Sequence, residues 1–79
     1  MIAKEQIKEK VYRLCGIENQ QRTGINLVED LGFESIQIVK LIVDIETKFD
    51  IVFDIFEIDI DDFVKLDYLI DKVCELVNE

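Results

Sequence analysis

Structural breakers are nearly absent from this chain: it contains no proline and only three glycines. A fold of many short strands needs frequent tight turns, and those turns draw on glycine and proline. Their scarcity points to helices. The 79 residues suffice for one domain, spanning 1–79. A core of this size is marginal, and no disulfide framework or metal motif reinforces it. With 49 % hydrophobic residues, helix packing is the efficient way to build that core.

Periodicity locates the helices. Ala3, Ile7, Val11 and Leu14 recur at helical spacing, with Lys4, Glu5, Lys8, Glu9 and Lys10 mostly on the other faces. This predicts a first helix over 3–15, closed by Gly16. A long connection follows, from Gly16 to Glu34. Its first part, Glu18 to Gly24, is polar and aperiodic, while Ile25, Leu27, Val28 and Leu31 read as anchors tucked under the bundle. A short helical turn is expected near Leu27 to Asp30. Loops this long in compact domains are often functional.

Ser35 to Phe49 contains no breaker and reads as one helix. At about 100° per residue, Ile38, Leu41, Ile42, Ile45 and Phe49 form one apolar stripe roughly 100° wide. Ile36, Val39 and Val43 form a second stripe displaced by about 150°. One stripe serves a core. The second is a candidate docking surface, and it begins immediately after Ser35. Residues 51–63 are ambiguous, because Ile58-Asp59-Ile60-Asp61 alternates as a strand would. A lone strand leaves its backbone unpaired, so a loop and a short helix near 57–62 are expected. Leu66, Leu69, Ile70, Val73, Leu76 and Val77 mark a last helix over 66–78. The expected fold is all-α: a four-helix bundle with a long first loop and a short third helix.

The net charge is −9, and residues 54–79 hold nine acids against Lys65 and Lys72. Such a surface repels nucleic acid and anionic lipid and attracts partners with basic surfaces. Histidine is absent, which removes the usual acid–base and metal-binding side chain. Asp59, Asp61 and Asp62 lack the glycine and terminal glutamate of a calcium loop. Glycine is too sparse for a phosphate-cradling loop. Cys15 and Cys74 match no CxxC or zinc spacing and read as reduced thiols. No apolar run spans a bilayer and the N-terminus does not resemble a signal peptide. A cytoplasmic, monomeric, non-enzymatic protein without a metal is the expectation.

One hydroxyl stands out. Ser35 lies at a helix start, where unpaired backbone N–H groups and the positive end of the macrodipole suit a phosphate. The alternative is that the serine only caps the helix. Without histidine it has no triad partner.

The segment Leu27-Val28-Glu29-Asp30-Leu31-Gly32-Phe33-Glu34-Ser35-Ile36, then Leu41, Ile45, Glu46 and Phe49-Asp50-Ile51, resembles the acyl carrier protein superfamily over nearly the whole chain. That resemblance implies that Ser35 receives 4′-phosphopantetheine from coenzyme A by the action of a phosphopantetheinyl transferase. Acyl or aminoacyl cargo would then travel as a thioester between loading and condensing enzymes. Glu34 stands where the family usually has aspartate. Glu34, Ile36, Val39 and Val43 would face partner enzymes. Fatty-acid carriers are usually rich in carboxylates along this helix, whereas Gln37 and Lys40 take outward positions here. The pattern is therefore closer to polyketide or nonribosomal peptide carriers. A housekeeping fatty-acid carrier and a D-alanyl carrier are the alternatives within the superfamily. An unmodified acidic interaction domain is the alternative outside it.

Overall fold

A computed structural model describes residues 3–17, 23–54 and 59–78. Helix α1 spans Lys4–Leu14, α2 Ser35–Phe49, α3 Ile60–Phe63 and α4 Leu66–Val77. Among the described residues there is no strand. The one isolated antiparallel bridge joins Asn26 to Lys65. The fold is an all-α four-helix bundle with a short third helix.

Local chemistry ends α1 and α2 and starts α3. Beyond α1, Gly16 adopts a left-handed φ of 77°, its N–H donates to the Arg13 carbonyl at 3.1 Å, and the Ile17 N–H donates to the Tyr12 carbonyl at 3.0 Å. These two bonds are a Schellman motif, which glycine accommodates without a Cβ penalty. At the end of α2, Asp50 takes the left-handed conformation with φ 55°, which aspartate tolerates better than branched residues. The Glu46 carboxylate then accepts the Phe53 N–H at 2.9 Å and turns the chain inward. Helix α3 starts at Asp59, whose side chain accepts the Asp61 N–H at 3.0 Å. The expected helix over 57–62 is thus a four-residue helix displaced toward the C-terminus, and residues 55–58 lie outside the described residues.

The core is apolar, with no buried polar or charged residue among those described. α1 contributes Ile7, Val11 and Tyr12, α2 Ile38, Leu41 and Ile45, and α4 Leu66, Leu69, Ile70 and Val73. α1 packs against both α2 and α4. Lys10 lies over the Phe49 ring at the far end of α2, while Leu14 shares a cleft with Phe33 and Leu41 near its start. The two helices therefore run in opposite senses. Phe53 and Phe63 meet edge-to-face at 5.9 Å and tie the segment after α2 to α3.

The described part of the long loop is ordered by pairing. Leu27 N–H donates to the Val64 carbonyl at 2.7 Å, and Leu66 N–H to the Ile25 carbonyl at 3.0 Å. Gly24 N–H reaches the Asp67 carboxylate at 3.0 Å. Asn26 Oδ1 accepts the N–H groups of Val28 and Glu29, and Asp30 accepts that of Asn26. The helical turn expected near Leu27 to Asp30 appears as single α-turns, Asp30 N–H to the Asn26 carbonyl and Gly32 N–H to the Val28 carbonyl. Ile25 and Leu27 are buried and Leu31 is half-buried, but Val28 is exposed. The expected Val28 anchor is corrected: this turn points the side chain outward.

Candidate functional site

The loop delivers the chain to α2 through Gly32, which is left-handed with φ 68°. Phe33 N–H donates to the Leu27 carbonyl at 2.9 Å, and the Phe33 side chain is half-buried against the core. Glu34 is extended and is the N-cap of α2. Its N–H donates to Gln37 Oε1 at 2.7 Å, the return arm of a capping box. Ser35 is the first helical residue. The simple capping role considered for Ser35 is therefore taken by Glu34 and Gln37.

Ser35 is exposed, and its side chain makes no hydrogen bond among the described residues. The N–H groups of Ser35 and Ile36 likewise have no acceptor among the described residues. A hydroxyl available to solvent beside unpaired donors at the positive end of a helix fits a phosphodiester.

The second stripe on α2 is open. Ile36, Val39 and Val43 are 75, 59 and 52 % exposed. Glu34 is exposed at their head. The structure brings Glu34, Ser35 and Ile36 together by sequence, and helical spacing places Val39 and Val43 along the face that Ile36 opens. That face carries little net charge. Among the α2 acids, Asp44 lies 3.7 Å from Lys40, and Glu46 is bonded to the Phe53 N–H. Lys40 and Lys48 balance these two acids.

Gln37 is exposed, as its outward position in the sequence predicts, and its side chain has a further role that the sequence reading did not assign: it caps α2. The signal was present as a capping-box spacing, but glutamate is not a usual N-cap and disguised it. Gln37 also lines a cleft of about 140 Å³ with Leu14, Phe33, Lys40, Leu41 and Asp44. A larger cleft, about 510 Å³, lies between Gly24–Asp30 and Lys65–Asp71, away from α2. Three of its four acids have structural duties, Asp30 to Asn26, Asp67 to Gly24 and Asp71 to Lys4.

The two thiols sit apart from this surface. Cys15 closes α1, and burial pushes its pKa up to about 11. Cys74 on α4 is raised as well, chiefly by burial. Both are free and half-buried, the setting of an unreactive thiol. None of the described helices is long and apolar enough to cross a membrane.

Residues 5–68 match the family model described as a phosphopantetheine attachment site. The chain belongs to that family. Comparison with curated proteins returns no match. Members of the family bind 4′-phosphopantetheine covalently. Phosphopantetheinyl transferases modify its carrier domains, which interact with partner enzymes and are generally non-catalytic. The matched span contains the whole of α2 and its cap.

Proposed function

We propose that this chain is a non-enzymatic carrier whose attachment residue is Ser35. The observation that carries the reading is the Ser35 hydroxyl itself, exposed at the first position of α2 and relieved of capping. In loading, Ser35 Oγ forms a bond to the phosphorus of the phosphopantetheine half of coenzyme A. The pyrophosphate P–O bond breaks, adenosine 3′,5′-bisphosphate leaves, and the transferase takes the serine proton. The attached group supplies a thiol at the end of a flexible arm, on which acyl or aminoacyl cargo is held for transfer. The unpaired N–H groups at the head of α2 favour the resulting anion.

Glu34, Ile36, Val39 and Val43 form the partner surface in this reading. Their support is exposure: a stripe about 60° wide on the α2 wheel is apolar and uncovered. The partners are a phosphopantetheinyl transferase and the acyl- or aminoacyl-loading and condensing enzymes of a cytoplasmic pathway. Specialised polyketide or peptide biosynthesis is favoured over fatty-acid synthesis by the near-neutral outward face of α2, where exposed Lys40 pairs with Asp44. With Gln37 explained as a cap, Lys40 carries that preference. The acidic surplus of residues 54–79 lies outside α2 and steers basic partners at longer range.

The test is direct. Incubation with coenzyme A, magnesium and a broad-specificity phosphopantetheinyl transferase should add one phosphopantetheine to the intact mass. Ser35→Ala should add none while keeping its helical circular dichroism. No gain in the parent chain, or an equal gain in the variant, would falsify the assignment.

A further inference from the structure

The cap of α2 is an uncommon one. Glutamate ranks below serine, aspartate and asparagine at the N-cap, and a serine stands one position further on. A competing register is therefore close at hand. If α2 began one residue later, Ser35 would become the N-cap. Its Oγ would then accept the backbone N–H of Gln37 or Ile38, turned back over the helix. What distinguishes the observed register is the Glu34 N–H bond to Gln37 Oε1 at 2.7 Å, which exists only with Glu34 at the N-cap and Gln37 three residues later. The Gln37 side chain is exposed at the edge of the cleft formed with Leu14, Phe33 and Leu41, so the helical spacing from Glu34, rather than burial, brings its amide to the N-cap.

From this geometry we infer that Gln37 is the positioning residue for loading: by capping Glu34 it holds α2 in the register that leaves Ser35 Oγ open. The inference rests on Ser35 as the attachment residue. Gln37 touches neither the entering group nor the reacting bond and acts only through the serine it frees. Loss of the cap lets the hydroxyl alternate between open and capping positions, which lowers the fraction competent to react. An exposed hydrogen bond of this kind sets a moderate effect, about three- to tenfold.

The experiment compares the parent chain with Gln37→Ala and Gln37→Glu. Loading from coenzyme A by a phosphopantetheinyl transferase is followed by intact mass. Amide chemical shifts and hydrogen exchange of Glu34 are recorded on the unloaded protein. For Gln37→Ala we expect kcat to fall about three- to tenfold with KM unchanged within about twofold, and Glu34 exchange to quicken. Gln37→Glu keeps an acceptor at the third position and should return kcat to within about twofold of the parent. Should the alanine variant lose helicity, Gln37→Leu keeps the aliphatic stem, removes only the acceptor and gives the same reading. Loading of the acceptor-free variants at the parental rate would overturn the inference. So would a rise in KM at constant kcat, which would make Gln37 a contact of the transferase. Failure of the underlying assignment looks different: the parent itself gains no mass, or gains it without Ser35.

Discussion

Helices α2 and α4 are of similar length and both carry many apolar residues, yet they use them differently. On α4, Leu66, Leu69, Ile70 and Val73 are buried, and none of its large apolar residues is among the exposed ones. On α2, Ile38, Leu41 and Ile45 are buried while Ile36, Val39 and Val43 face water. Charge divides the same way. The acid surplus gathers in residues 54–79, and α2 is balanced. One helix is consumed by the fold. The other holds more apolar surface than the fold needs, beside Ser35, the residue proposed for attachment.

The largest effects should therefore come from inward residues. Leu69→Ala and Ile45→Ala remove fully buried side chains and should each cost about 2–5 kcal/mol. A domain this small holds about 4–12 kcal/mol in total, so urea melts should show large losses or outright unfolding. A cost below about 1 kcal/mol would mean that the two helices are not distinguished by burial.

Val39→Asp tests the opposite face. Stability should change by no more than about 0.5 kcal/mol and helicity should persist, while loading and partner turnover fall by about tenfold or more. Unfolding instead would place Val39 in the core and remove the contrast.

Cys15 probes the α1 end of the core. Its folded pKa lies above that of the unfolded thiol, 9.0, at about 11. Burial favours the neutral form, so the stabilisation is complete below pH 9 and is lost as pH rises toward 11. Discounted for partial exposure, this amounts to about 1 kcal/mol. Urea titrations at pH 8.5 and 10.5 should show that extra loss in the parent and not in Cys15→Ala. Equal losses would refute it.

The smallest change sharpens the loop's part. Asp67→Ala removes the acceptor of Gly24 N–H and should cost about 0.5–1 kcal/mol. Hydrogen exchange at Gly24 should quicken while exchange along α2 stays unchanged. Coupled quickening in α2 would mean that the loop and α2 open as one unit.

How much of this could be read in the sequence depended on how local each cause is. Ser35–Phe49 was legible end to end, because an unbroken run with two stripes admits one periodicity. The ends of α1 and α4 shift by a residue, as fraying ends do. The short helix was legible as an element but not in its bounds: Asp59 caps it and sets its start at Ile60, a detail that the apolar–acid alternation around it obscures. The anchors of the loop were read correctly for Ile25 and Leu27 but not Val28. Their direction is fixed by hydrogen bonds to Val64 and Leu66, which lie far along the chain and leave no local trace. Ser35 was singled out by its neighbours. Why it is open was not, because that depends on a glutamate doing a cap's work with help from Gln37.

The packing of α1 on α4 has a consequence for dissection of the molecule. The span that marks the family ends at residue 68, three residues into a helix whose Leu69, Ile70 and Val73 lie in the same core as Ile7 and Val11. A fragment cut at that boundary would keep every recognisable residue and lose the surface that shields the first helix. What identifies this protein and what allows it to fold are different stretches of chain, and the second reaches nearly a full helix further than the first.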